Sequence, residues 1–149
     1  MKKNECALVK FSTMVLAIDS SEHSKATLSQ ALSLAKACSA KIYAVSVVEC
    51  NEELEALAPQ LIDKMSKTTK KLLDSVKDRA EKENIKCETI AHTGDDPAQF
   101  IVEEAKKRKA NIIVMGKHGA RTTVTKFIMG SVTARVLSHA PCNVLVIVK

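Results

Sequence analysis

The chain is short of glycine and aromatic residues and has no long apolar run. It contains no tryptophan, one tyrosine and three phenylalanines, so a base-stacking platform for nucleic acid is not expected. No apolar stretch approaches the roughly 20 residues of a membrane-spanning helix. The opening, MKKNECALVKF, lacks both a long apolar segment and a small-residue cleavage pattern. The sequence therefore predicts no membrane association and no signal peptide.

The cysteine pattern excludes a disulfide framework and a zinc site. The five cysteines are scattered, odd in number and never at C-x-x-C spacing, which argues against both. This usage suits a reducing cytosol. Cys38 and Cys87 sit in apolar surroundings, which predicts that they fill the core and are not reactive thiols.

The formal net charge of +6 does not by itself predict nucleic-acid binding. Many lysines alternate with acids, as in DKMSKTTKKLLDSVKDRAEKE, which is typical of a solvated helix face. The cluster KKRK falls at the end of a predicted helix, where cations oppose the helix dipole. A basic surface that attracts phosphates in general stays consistent with the charge.

Apolar strands and helical segments alternate along all 149 residues. Short apolar runs predict five strands, and the order βαβαβαβαβ indicates a parallel sheet with helices on both faces. Pro59 is expected to kink or restart the second helical region. Asp96, Pro97 and Gln99 predict the start of the third helix, with Asp96 as N-cap and Gln99 completing a capping box. The predicted strands are TMVLAID (13–19), KIYAVSVVE (41–49), IKCETIAHT (85–93), ANIIVMG (110–116) and NVLVIVK (143–149).

Three of the four glycines lie within the sixteen residues GKHGARTTVTKFIMGS, although average usage would put about ten glycines in such a chain. Gly116 and Gly119 follow the fourth strand, at the sheet edge where parallel α/β proteins bind ligands. Glycine there is expected to allow positive φ and close approach of a ligand. Gly130 and Ser131 begin the last helix, whose unpaired N–H groups favour an anion. The cluster predicts a phosphate site, and plain turn residues are the alternative.

Asp19 follows the first strand and has two possible roles. Asp19 and Glu22 have capping-box spacing, and either Asp19 or Ser21 could cap the first helix. The same position serves ligand binding equally well. The four histidines lack metal-ligand spacing, and the one in the glycine stretch, His118, is interpreted as an exposed loop side chain.

The chain resembles the universal stress protein family over nearly its whole length. The nucleotide-binding branch of that family carries G-x-x-G, nine residues, then G-S or G-T; this chain has GKHG, then ten residues, then GS. VLAIDSSEHS resembles the family's first strand and acidic turn, and HTGDDPAQFIVEEA its third-strand exit. NIIVMGKHG and GSVTARVLSHAPCNVLVI are the most specific pieces.

The resemblance implies a single Rossmann-like domain over residues 1–149, a three-layer sandwich related to the adenine nucleotide alpha hydrolases. Its five-stranded parallel sheet would have the order 3-2-1-4-5, and the last strand would form a homodimer. It also implies a cytoplasmic stress-response regulator or sensor with an unknown protein partner, binding ATP with Mg²⁺ or Mn²⁺. By this likeness Asp19 contacts the adenosine and Val47 contacts adenine through its backbone. The glycines and Ser131 would hold the ribose and phosphates, with Met115 and Val132 beside them. The implied binding residues are Ala17, Asp19, Val47, Met115, Gly116, Gly119, Gly130, Ser131 and Val132.

Two departures and three alternatives accompany the resemblance. Ser20 stands where the family commonly has glycine, and the spacer is one residue longer, with the extra residue placed near ARTT. The spacer motivates a second hypothesis, a dimeric interaction module that binds no nucleotide. An enzyme is not favoured because no nucleophile–base pair, P-loop or metal cluster has recognisable spacing. At most, slow ATP hydrolysis or autophosphorylation is implied, and a response-regulator receiver is disfavoured because its lysine would be the terminal Lys149.

Overall fold

A computed structural model of the chain describes residues 11–119 and 128–148. The strands are β1 (Thr13–Ala17), β2 (Lys41–Glu49), β3 (Cys87–Gly94), β4 (Ile112–Gly116) and β5 (Asn143–Ile147). The helices are α1 (His23–Cys38), α2 (Glu52–Leu57), α3 (Pro59–Lys82), α4 (Pro97–Lys107) and α5 (Ser131–His139). The predicted alternation of strands and helices is confirmed, and β1 ends two residues before Asp19.

The five strands form one parallel sheet in the order β3-β2-β1-β4-β5, as expected. β1 pairs with β2 on one side, with Ala17 opposite Val45, and with β4 on the other, with Leu16 opposite Val114. The chain builds outwards from β1 to β3 and then crosses to β4. The strand order therefore reverses between β1 and β4, which makes this the switch point of the sheet.

Apolar side chains cover both faces of the sheet, as continuous apolar strands require. Successive residues of β1 point to opposite faces: Leu16 packs in a core with α1 and α3, and Val15 packs in a second core with α4. Both residues are fully buried. The result is the three-layer α/β sandwich that the sequence predicts.

The start of α4 confirms the predicted cap in part. The Asp96 side chain accepts a hydrogen bond from the Gln99 N–H at 3.1 Å, and Pro97 occupies the first turn. The Gln99 side chain donates to Glu103 Oε1 at 2.7 Å, so the amide is directed along the helix and not back to the cap. Asp96 also receives two hydrogen bonds from Arg135 of α5, at 2.8 and 2.6 Å. The Arg135 guanidinium, followed by the Gln99 N–H, lowers the pKa of Asp96 below its ordinary value.

Pro59 restarts the second helical region as predicted. α2 ends at Leu57 and α3 begins at Pro59, where a missing N–H costs the helix nothing. The cysteine prediction is confirmed for Cys87, since it is buried and its burial raises the pKa of its thiol to about 11. Cys38 is only half-buried. Over residues 11–119 and 128–148, no helix combines the length and the apolar character needed to cross a membrane.

Candidate functional site

A cavity of about 570 Å³ opens at the carboxyl ends of the strands, at the switch point. Its floor includes the ends of β1 and β4, and its walls come from α1, α3, α4 and the start of α5. Its size falls within the range of small-molecule sites, about 300–1,000 Å³. A second hollow, of about 430 Å³, lies against α2 and contains none of the predicted site residues.

All nine residues of the predicted binding set line this one cavity. They come from four separate stretches of the chain, which the parallel sheet brings to one edge. They are Ala17, Asp19, Val47, Met115, Gly116, Gly119, Gly130, Ser131 and Val132.

The two glycine turns lie against each other. The Gly130 N–H donates to the carbonyl oxygen of Lys117 at 2.9 Å. A Cβ on Gly130 would lie 3.1 Å from that oxygen and 3.8 Å from the Gly119 nitrogen. The longer spacer thus leaves Gly119 and Gly130 adjacent, although most of it, ARTT included, lies outside the described residues.

The expectation that Gly116 turns the backbone with positive φ is wrong. All four glycines of the chain are described, and none of them has positive φ. Close packing explains their presence instead. A Cβ on Gly116 would lie 3.2 Å from Thr27 Oγ1, and one on Gly119 would lie 3.0 Å from Asp19 Oδ2. Such distances are tighter than most Cβ contacts, so the absence of a side chain lets these turns lie close to α1 and Asp19.

Asp19 organises the turn between β1 and α1 without capping the helix. Asp19 Oδ1 accepts hydrogen bonds from the Ser21 N–H and the Ser24 hydroxyl, both at 2.9 Å. The N-cap residue is Glu22, whose side chain makes no cap hydrogen bond, so neither Asp19 nor Ser21 is the N-cap. The turn holds the carboxylate on the cavity wall, beside Gly119.

The N-terminus of α5 points its amide groups at the same cavity. Gly130 is the N-cap, without a side chain to accept from the first N–H groups, and Ser131 is the exposed first residue of the helix, not its cap. Thr133 Oγ1 donates to the Gly116 carbonyl at 2.9 Å, which ties the helix to the end of β4. The unpaired N–H groups and the positive end of the dipole make this rim attractive to anions.

Sequence reasoning missed several residues that line the cavity. His118, interpreted as an exposed loop side chain, is half-buried there, with its ring centroid 6.0 Å from that of His23. Its position between Gly116 and Gly119 of the predicted site is the sequence feature that could have indicated this location. Lys64 and Met65 of α3 also line the cavity, and no local motif marks them.

The cavity wall combines polar and apolar groups. The polar ones include glycine backbone, Asp19 and two imidazoles, and Val47 of β2, Met65 of α3 and Ile101 of α4 are among the apolar ones. Formally charged side chains on the described wall are Asp19, Glu49 and Lys64. In the part of the chain that the structure covers, no group of three or more His, Cys, Asp and Glu side chains is placed to hold a metal ion. This arrangement suits a ligand with one anionic and one apolar part.

The fold and the site together define a doubly wound, parallel α/β protein with its candidate ligand cavity at the switch point. The model of the universal stress protein family matches residues 10–148. The chain belongs to the universal stress protein family.

Relatives and solved structures of the same family agree. The chain is 35% identical to a universal stress protein of Methanocaldococcus jannaschii, over 93% of this chain and 83% of the relative. It resembles the universal stress protein UspA from Lactobacillus plantarum with a TM-score of 0.77 and 25% identity, over 93% and 99% of the two chains.

Two further solved proteins of this fold were determined as nucleotide complexes. One is a universal stress protein in complex with cAMP, with a TM-score of 0.67, 23% identity and coverage of 94% and 98% of the two chains. The other is the universal stress protein from Archaeoglobus fulgidus in complex with dAMP, with a TM-score of 0.64, 21% identity and coverage of 93% and 98%. At these identities the likeness establishes the fold.

Proposed function

We propose that this protein binds ATP or a related adenine nucleotide and acts as a regulator or sensor in a stress response, not as a fast enzyme. The observation that carries the proposal is the convergence of two glycine turns, the α5 N-terminus and Asp19 on one cavity of about 570 Å³. The cAMP and dAMP complexes of two proteins with this fold support an adenine nucleotide.

The phosphates would lie at the glycine end. Hydrogen bonds to a charged group contribute about 1.5–3 kcal/mol each, so three or four amide donors could reach the ~8 kcal/mol of micromolar binding after ordering costs. The glycine turns present backbone without a Cβ, and the α5 N-terminus adds its dipole. Asp19 and Val47 would hold the nucleoside.

A divalent ion would accompany the triphosphate. Mg²⁺ is usually held by substrate phosphates and one or two carboxylates, and Asp19 lines the cavity beside Gly119. Mg²⁺ or Mn²⁺ is therefore proposed as a companion of the nucleotide. The ion would neutralise phosphate charge beside this carboxylate.

Isothermal titration with ATP and magnesium tests the proposal. Wild-type protein should bind in the micromolar range. Gly130→Val should weaken binding at least tenfold, because a side chain there meets the Lys117 carbonyl and crowds the phosphates. Ala134→Val, an exposed position one turn along the same helix, is the matched control and should bind like wild type. Folded protein that gives no heat at tens of micromolar would refute the proposal.

The second candidate is a dimeric interaction module without nucleotide, which the ten-residue spacer favours. The adjacency of Gly119 and Gly130 weighs against it, because both glycine turns still lie together where the phosphates would bind. The absorbance of freshly purified, heat-denatured protein separates the two candidates, since released adenine nucleotide excludes the second.

A homodimer through β5 belongs to the same proposal. β5 is an edge strand, and unpaired edge strands are templates for pairing with another chain. Leu145 and Val148 at this edge are 38% and 69% exposed, and Leu137 of α5 is 42% exposed. The free thiols of the described cysteines fit a cytosolic location.

A further inference from the structure

The helix α3 carries one apolar stripe along its 24 residues, about 36 Å at 1.5 Å per residue. Its second half packs in the core, where Leu73 is 4% exposed and Val76 and Ala80 are fully buried. Its first half, residues 59–70, contains no buried residue. The stripe nevertheless continues there at helical spacing through Leu61, Met65 and Thr69.

The first half of α3 turns this stripe towards the cavity. Five of its residues line the cavity wall, and the apolar ones are one turn apart. Leu61 is 46% exposed, although it occupies a position that, further along the helix, is buried. The five lining residues are Leu61, Lys64, Met65, Thr68 and Thr69.

β2 and β4 lie on opposite sides of β1 in the sheet. The α3 wall is on the β2 side of the cavity, and the glycine turns are on the β4 side. α3 follows β2 through the short helix α2, so its beginning lies near the exit of β2, where Val47 lines the cavity. Ile101 and Pro97 of α4 line the cavity from the other face of the sheet. The cavity therefore has apolar walls from both helical layers.

We propose that Leu61 and Met65 of α3 form the wall that covers the base of the bound nucleotide, and that they make the site prefer a purine. The inference rests on the proposed function, and it assigns a role to residues outside the predicted binding set. A nucleobase offers two flat apolar faces, and Leu61 and Met65 of the α3 stripe offer the cavity an apolar surface. A thioether adapts to an aromatic face and interacts favourably with it.

A tryptophan reporter tests the contact directly. The natural chain has no tryptophan, so Leu61→Trp places a single indole on the wall. Its emission should change in a saturable way with ATP. The matched control is Leu57→Trp on α2, at a position that is 77% exposed and does not line the cavity; its emission should stay constant.

A truncation tests the preference for a purine. Met65→Ala should weaken ATP binding about threefold to tenfold, which corresponds to the strength of a sulfur–aromatic contact. The affinity for UTP should fall less, because the smaller pyrimidine ring covers less of the wall. The ratio of ATP to UTP affinity should therefore fall. Gly130→Val should lower both affinities by the same factor, and Leu57→Ala should change neither.

The outcomes separate this inference from the proposed function. Wild-type protein that binds no nucleotide refutes the proposed function itself. Wild-type binding together with a silent Leu61→Trp, or an unchanged ATP to UTP ratio in Met65→Ala, overturns the α3 wall and leaves the proposed function standing.

Discussion

Three glycines shape this site mainly because they have no side chain. Gly116, Gly119 and Gly130 each lack a Cβ where one would lie 3.0–3.2 Å from a neighbouring oxygen. Their backbone can therefore line a narrow cavity between α1 and α5. The sequence marks these positions because glycine is scarce elsewhere in the chain. It does not indicate the reason, since the close packing of Gly116 and Gly119 depends on Thr27 and Asp19, which lie about 90 and 100 residues away in the chain.

Thr133 is the residue that joins the two halves of the glycine end. Its buried hydroxyl donates to the Gly116 carbonyl, so Thr133→Val should lower the free energy of unfolding by about 1–2 kcal/mol. It should also weaken ATP binding, because the end of β4 loses its link to α5. Urea unfolding and calorimetry measure the two effects.

Ser138→Ala is the control for Thr133. Its exposed hydroxyl donates to the Ala134 carbonyl within the same helix, so its loss should cost under about 0.5 kcal/mol. Equal costs for the two variants would show that the Thr133 hydrogen bond contributes nothing specific.

Among the elements, α4 is attached to the sheet by a buried carboxylate. Glu104 is 6% exposed, and its two oxygens contact His92 Nε2 at 3.1 Å and Arg108 Nε at 3.3 Å. Burial raises its pKa, but the hydrogen bonds from His92 and Arg108, with the charge of Arg108, outweigh burial and lower the pKa below 4.5. The His92 ring also stacks on Phe100 with centroids 4.5 Å apart, so β3 and α4 are joined at two points.

Glu104→Gln should destabilise the protein in a pH-dependent way. The pKa of Glu104 is lower in the folded state, so its contribution is complete above pH 4.5 and is lost as the pH falls through the folded value. The variant should lose about 1–3 kcal/mol at pH 7, and its difference from wild type should shrink on acidification. Urea unfolding between pH 7 and pH 3 measures this. Exposed Glu103→Gln is the control, and a constant difference across that range would contradict the prediction.

The elements themselves could be predicted from local pattern, but the roles of some residues could not. β2 occupies the predicted residues, Lys41–Glu49, and Pro59 separates α2 from α3 as expected. Apolar runs and proline act locally, so sequence alone identifies them. His23 and His118 meet only because α1 and the loop after β4 converge at the switch point. The sequence likewise could not predict that the first half of α3 lines the cavity, because an apolar stripe has the same spacing whether it faces the core or a ligand.

At the scale of the whole molecule, β5 leaves one edge of the sheet unpaired within the described chain. The proposed dimer would pair this edge with that of a second copy and cover Leu145. Leu145→Lys should then convert dimer to monomer, because a charge at the centre of the edge opposes pairing. Sedimentation equilibrium measures the mass. Leu57→Lys, which changes an exposed leucine on α2, should leave the dimer intact, and a wild-type monomer at tens of micromolar would contradict the proposed assembly.

The helix α3 joins two distant places in the fold. Its beginning stands over the cavity, and its end lies beside the start of β3, where the Ile85 N–H donates to the Ala80 carbonyl at 2.9 Å. The same helix therefore borders the cavity with its first half and anchors the start of β3 with its last turn.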